Sequence, residues 1–242
     1  MTRNNNPPGD ARSGQSHCLP FPAHPNDTPA GQPLALRHVR QLTNAEAFSA
    51  SLGQPLTAHV TLHLRLVEGF HEEAWAEFQS ALLDRASRWL KRQGLPVAFA
   101  WVRESGSKKG PHLHLLIHLP HQHWGAFHRF LSFTGRFQAS DESGEAIVIT
   151  GGSWGMYVPT MRSGVLRYLL KSLEASASTV AALGLRQQPT RPVPLKRCGV
   201  STTLAQKARR EAGWVELRSI PELHAHLHPA NDNATEALHA VA

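Results

Sequence analysis

The chain has 242 residues, a formal charge of +7 and a pI near 10.0, with sixteen histidines able to add positive charge below neutral pH. That length suits one ordinary domain plus tails, and the basic balance favours a polyanionic partner such as nucleic acid. Cys18 and Cys198 match no metal-finger spacing and are expected as free thiols in a reducing cytoplasm. Met1 to Asp10 carries no apolar signal core, and no run approaches the ~20 apolar residues of a membrane span, so no membrane partner is expected.

Residues 1–55 are rich in Pro, Asn, Gly, Ser and Thr, and predict a largely disordered N-terminal arm. Residues 58–67, Ala-His-Val-Thr-Leu-His-Leu-Arg-Leu-Val, alternate and predict a first strand. Glu72 to Gln93 spaces Trp75, Phe78, Leu82, Leu83, Ala86 and Leu90 as the stripe of an amphipathic helix ended by Gly94. Residues 96–104 predict a second strand, and Ser105 to Pro111 a glycine-bearing turn into a third. That third strand, Pro111-His112-Leu113-His114-Leu115-Leu116-Ile117-His118-Leu119, is the most informative stretch of the chain. A helix over residues 121–133, a strand over 146–150 and a helix over 162–174 follow. The order β-α-β-β-α-β-α predicts an α+β, ferredoxin-like split βαβ fold: an antiparallel sheet with helices on one face. Beyond it, Arg186 to Arg210 holds seven Lys/Arg and no acid, and Ser201-Thr202-Thr203 is positioned to cap a basic helix through Ala212. Residues 177–220 are therefore expected as a basic linker and helix, and 221–242 as a flexible tail.

A strand's side-chain period of two sends His112 and His114 to the same face, roughly 7 Å apart along it. Two imidazoles so held can share a divalent ion. Glu104, at the end of the preceding strand, is the natural third ligand, and its carboxylate suits Mg²⁺ or Mn²⁺. Such a site leaves coordination positions for phosphate oxygens. Tyr168, one of only two tyrosines, precedes Lys171 by three on the last predicted helix, so the two share a face. A phenol with a pKa near 10 needs help to lose its proton, and the Lys171 ammonium can stabilise phenolate. Arg167 points about 100° away from Tyr168 and suits backbone phosphates. Lys108 and Lys109 of the turn, with Lys196, Arg197, Lys207, Arg209 and Arg210, are the remaining expected DNA contacts.

His112-Leu113-His114 followed by Tyr168-Leu169-Leu170-Lys171 resembles the HUH endonuclease superfamily, in particular the single-tyrosine rolling-circle replication initiators. Val60-Thr61-Leu62 is similar to that family's less specific first motif. The resemblance covers roughly residues 57–175 and so implies an HUH-like catalytic domain within 56–176. It implies that Tyr168 attacks a single-stranded origin or hairpin, leaving a 5′-phosphotyrosine link and a 3′-hydroxyl, with His112, His114 and Glu104 holding the metal. The second tyrosine of two-nucleophile members has no counterpart, since Ser172 follows Lys171 and Gly164 stands four before Tyr168. No Gly-x-x-x-x-Gly-Lys-Ser/Thr loop is present, so a host helicase would unwind the DNA and a host polymerase extend it. Relaxase and transposase roles share this chemistry. Two other functions compete. A metal-independent 2H-type RNA phosphoesterase would use His59-Val60-Thr61-Leu62, but its second half reads His112-Leu113-His114-Leu115, with histidine where a hydroxyl is required. A non-catalytic nucleic-acid-binding domain would need aromatics on its central strands, and residues 108–119 have none.

Overall fold

The computed structural model describes residues 34–106, 110–138, 140, 141, 144–151, 159–188, 193 and 196–229. The predicted order is present as β1 (Ala58–His63), α2 (Trp75–Arg92), β2 (Phe99–Gly106), β3 (Gly110–Ile117), α3 (Trp124–Gly135), β6 (Ile147–Gly151) and α4 (Pro159–Leu169). To these the structure adds α1 (Leu36–Ser51), the two-residue strands β4 (Ser140–Asp141) and β5 (Gly144–Glu145), α5 (Ala177–Ala182), β7 (Cys198–Val200), α6 (Gln206–Glu211) and α7 (Ile220–Leu227). The main sheet runs β6-β1-β3-β2-β7, and every neighbouring pair is antiparallel. Its first four positions have the strand order of a ferredoxin-like split βαβ sheet, and the fold is α+β as the sequence predicts.

Period-two alternation divides each strand between two cores. Val60, Leu62, Phe99, Trp101, Leu113, Leu115 and Ile117 face α2 and α3, where Trp75, Leu82, Trp89, Leu90, Phe127 and Leu131 complete one apolar cluster. Trp89 stacks on Phe130 with ring centroids 5.7 Å apart. Each such buried side chain contributes about 1.5–3 kcal/mol of transfer free energy. The opposite face is covered as well. Ala98, Ala100, Val102 and Leu116 pack there against Leu42 and Phe48 of α1, Leu166 and Leu169 of α4, and Leu223 and Leu227 of α7. With helices on both sides, β2 and β3 are buried along nearly their whole length.

Two stretches depart from the composition-based expectation. Residues 36–51, within the expected disordered arm, form α1, because Val39, Leu42, Ala45 and Phe48 supply an apolar stripe. Polar residues buried beside them conceal that stripe. Asn44 in particular donates from Nδ2 to Leu217 O and Arg40 O, both at 2.9 Å, and accepts from Trp214 Nε1 and Leu217 N. In the expected flexible tail, Ile220–Leu227 forms α7 with a capping box: Ser219 Oγ accepts from Glu222 N, and Glu222 Oε2 accepts from Ser219 N. The expected basic helix is broken into a 3₁₀ turn over Thr202–Leu204 followed by α6. Among the described residues no helix is long and apolar enough to cross a membrane.

β7 closes the β2 edge by a close approach. Gly199 pairs with Trp101, and a Cβ at Gly199 would lie 2.7 Å from the indole ring. Gly199→Ala is expected to lower stability by about 1–3 kcal/mol, the usual cost of overpacking. A urea midpoint unchanged from that of the parent would show that Trp101 is free to move aside.

Candidate metal centre and tyrosine helix

The site occupies the sheet face under α4. Register fixes its floor: Glu104 pairs with His112 across β2–β3, while Thr61 pairs with His114 and His63 with His112 across β1–β3. Alternation then raises His59, Thr61, Glu104, His112 and His114 from the same face, while the opposite face of these strands is apolar core.

Three ligand-type atoms converge. Glu104 Oε2 lies 3.1 Å from His112 Nε2 and 3.0 Å from His114 Nε2, and the Glu104, His112 and His114 ligand atoms all lie within 4.8 Å of one another. All three side chains are buried. Lys171 Nζ closes the group at 2.8 Å from the same carboxylate oxygen. Burial alone would raise the Glu104 pKa. Hydrogen bonds from His112, His114 and Lys171, with the Lys171 charge, outweigh it and hold the carboxyl well below the usual range.

The far sides of both imidazoles are fixed. His112 Nδ1 lies 2.9 Å from Gly110 O, a carbonyl that can only accept, so Nδ1 carries the proton and Nε2 turns a lone pair toward Glu104. His114 Nδ1 meets His59 Nε2 at 3.1 Å and Thr61 Oγ1 at 3.2 Å. Burial first, then the neighbouring His112 and His59, push the His114 pKa down to about 3. His59 falls to about 4, through burial and the Lys171 charge. Both rings are therefore neutral at pH 7. Two neutral imidazoles and a carboxylate converging out of water form the donor set of a divalent-ion site, and these residues fit Mg²⁺ or Mn²⁺. His59 and Thr61 are what sequence reasoning left unassigned. The alternation of residues 58–63 puts them on one face, but only the register places that face beside His114.

Tyr168 stands over this floor. It is 46% exposed, and its ring centroid lies 5.5 Å from that of His114 and 6.1 Å from that of His59, edge-on to both. Lys171 follows the end of α4 in a turn in which its N–H donates to Tyr168 O at 3.2 Å. That turn brings Nζ to 3.4 Å from the centre of the Tyr168 ring while it still holds Glu104.

The basic residues separate. Arg167 donates to Leu227 O and lies 3.4 Å from His228 Nδ1, so its guanidinium anchors α4 to α7. Arg197 is buried, with Nε donating to Arg103 O at 3.1 Å. Arg209 is 2% exposed and paired with Glu216 at 2.8 Å. Neither of these last two is presented to a ligand, because each offsets its own burial internally. Lys196, Lys207 and Arg210 are exposed, Lys196 Nζ lying 5.8 Å from the Trp101 ring centre. Lys108 and Lys109 lie outside the described residues.

An antiparallel split βαβ sheet with a His-x-His strand beneath a Tyr-x-x-Lys helix is the class of site that the resemblance to rolling-circle initiators leads one to expect. Residues 58–173, just short of half the chain, match the family model of replication-associated protein of the ORF2 and gene II protein type, and the matched segment runs from β1 through the Tyr168–Lys171 turn. The resemblance to rolling-circle replication proteins is thereby shown for this core. No curated protein and no solved structure matches the chain significantly.

Two outcomes follow from this geometry. Thr61→Val combined with His59→Phe removes the groups that orient His114, and is expected to weaken Mn²⁺ affinity about 10–100-fold by titration calorimetry; unchanged affinity would show that His114 is oriented by strand geometry alone. Lys171→Met leaves a buried carboxylate without its ammonium, costing about 3 kcal/mol of stability without metal. Saturating Mn²⁺ should therefore raise the Tm of this variant by more than that of the parent.

Proposed function

We propose that the chain nicks and rejoins single-stranded DNA through Tyr168, and that it starts rolling-circle replication of a plasmid or phage. The observation that carries this reading is the position of Lys171. Its ammonium touches both the Glu104 carboxylate and the face of the Tyr168 ring, which ties the one tyrosine of α4's last turn to the Glu–His–His floor. The match of residues 58–173 to a replication-associated family supports the same assignment.

A single strand laid across the cleft would bring a scissile phosphate between the Tyr168 hydroxyl and the floor. The phenolic proton leaves to water, which a half-exposed tyrosine reaches directly, and the Lys171 charge stabilises the phenolate. The Tyr168 oxygen then bonds to phosphorus as the bond to the preceding 3′-oxygen breaks. The departing 3′-oxygen takes a proton from water, giving a 5′-phosphotyrosine and a free 3′-hydroxyl for a host polymerase. Rejoining is the reverse: a 3′-hydroxyl attacks phosphorus and Tyr168 is released. Glu104, His112 and His114 would hold the divalent ion, Mg²⁺ or Mn²⁺, which when bound supplies Lewis-acid polarisation of the phosphate. His59 and Thr61 keep His114 facing that ion. With one tyrosine in reach, a second strand transfer needs a 3′-hydroxyl or a second subunit.

The test is incubation of the full chain with end-labelled single-stranded oligonucleotide pools and Mn²⁺, followed by denaturing electrophoresis. A covalent adduct carrying the fragment 3′ to the nick is expected, lost with chelator and lost in Tyr168→Phe. Cleavage that persists with chelator and leaves no adduct would overturn tyrosine nicking in favour of the 2H-type phosphoesterase. Binding that never yields adduct or cleavage with any pool would leave a DNA-binding domain without catalysis.

A further inference from the structure

A second cationic feature lies beyond β7. A groove of about 780 Å³ between α1 and the stretch joining α6 to α7 is lined by Arg37, His38, Arg40, Gln41, Gln206 and Arg218, over the Arg209–Glu216 pair. Arg37, Arg40 and Arg218 are exposed. The nearby carboxylates are committed elsewhere: Glu216 to buried Arg209, and Glu222 to the backbone N–H groups of Arg218 and Ser219 at 2.9 and 2.8 Å. Arg40 Nε donates to Arg218 O at 3.1 Å, which fixes that side chain and leaves its two terminal nitrogens to the groove. Among the described residues no ion pair is made by Arg37, Arg40 or Arg218.

This arrangement works against the stability of the isolated chain. Arg37 and His38 sit in the first turn of α1, where the helix dipole disfavours positive charge, and no acidic residue occupies that turn. His38 is flanked electrostatically by Arg37, Lys196 and Arg197. Guanidinium groups gathered without internal partners match an external polyanion, and their planar forks suit phosphate. The groove is also continuous with the candidate metal centre, since buried Arg197 interacts electrostatically with His38 on one side and Glu104 on the other.

The lining also discriminates between kinds of nucleic acid. Grooves that hold single strands combine cations with aromatic platforms on which unpaired bases stack. No Phe, Tyr or Trp lines this one. It offers fixed cations and two amides, which reach phosphate and sugar and have nothing to stack against bases. We propose that this groove binds the sugar–phosphate backbone of duplex DNA flanking the single strand presented to Tyr168. The proposal rests on the nicking reading for its biological setting, and its test is independent of it.

The experiment measures binding by fluorescence anisotropy without metal, using the full chain, a labelled hairpin or 20-base-pair duplex, and a single strand of equal length, across a KCl series. Arg37→Gln/Arg40→Gln/Arg218→Gln is expected to weaken duplex binding about tenfold or more. It should also flatten the slope of log affinity against log salt by about 2–3, one phosphate contact per arginine. Single-strand binding and Mn²⁺-dependent adduct formation on a short single-stranded oligonucleotide should be unchanged. Arg37→Glu guards against misfolding, because a carboxylate favours that helix turn: it should raise Tm slightly while lowering duplex affinity. Unchanged duplex affinity in the triple variant overturns the proposal, as do equal losses for duplex and single strand. Loss of polyglutamate binding with duplex binding intact also overturns it, and assigns the groove to an acidic protein. Absence of any covalent adduct, with the duplex result as expected, would fail the nicking reading and leave the groove standing.

Discussion

The site depends on one buried carboxylate. Glu104 is held out of water at the end of β2, and a charge so placed is tolerable only where positive charge and hydrogen-bond donors surround it. Lys171 supplies the charge, reaching down from the turn after α4, and the His112 and His114 nitrogens crowd the same oxygen. Since Lys171 is also stacked on Tyr168, the requirement to neutralise Glu104 sets the place of the tyrosine. Fold stability and the proposed chemistry thus draw on the same contact. The polar floor can be rigid because it is satisfied from behind, with His112 on Gly110 O and His114 on Thr61 and His59.

That floor lies within a sheet covered by helices on both sides. The same alternation that gives β3 its apolar Leu113, Leu115 and Ile117 gives the reverse face its two histidines, with Leu116 continuing that face into the second core. A one-residue slip of β3 against β2 would send Glu104 and the histidines to opposite faces, so the register is fixed by both cores at once. Such a sheet can carry charged groups at set spacings because its strands have little freedom to adjust.

How far the sequence discloses this follows from the range of each signal. Alternation and amphipathic stripes are local, and they place β1, α2, β2, β3, α3, β6 and α4 within a few residues. The pairing of Glu104 with His112 is also nearly local, since one short turn joins their strands. α1 escapes because its stripe is interleaved with Thr43, Asn44, Glu46 and Ser49, polar residues that become buried only in tertiary contact. β7 is three residues long and takes its strand form from the β2 edge, so Arg197-Cys198-Gly199 reads as basic linker. For the same reason the charge run 186–210 overstates its own exposure. Arg197 and Arg209 are basic in sequence and internal in space, and Arg209 finds its partner Glu216 just beyond the run. The Ser219–Glu222 capping box of α7 is legible by its spacing, though the histidine-rich run after it reads as tail.

The matched segment ends at residue 173, yet the tyrosine helix is held largely from outside it. Leu34 bridges Leu173 and accepts from Glu174 N at 2.8 Å, while Gln188 N donates to Lys171 O at 2.7 Å. Arg167 donates to Leu227 O, and His228 links α4 to α5. His228 Nε2 must carry the proton, because it meets Leu183 O at 3.1 Å, which leaves Nδ1 to accept from Arg167. The backbone at Gly184 makes that approach feasible: its φ is +63°, and a Cβ there would lie 2.5 Å from the His228 ring. The strands can set the floor by their own pairing, whereas a single helix laid on a sheet has freedom to slide and roll. Fixing the distance from Tyr168 to His114 therefore takes contacts at the far side of α4, and α1, α5 and α7 supply them. The matched core and its unmatched flanks are accordingly one mechanical unit, with the flanks setting where the nucleophile stands.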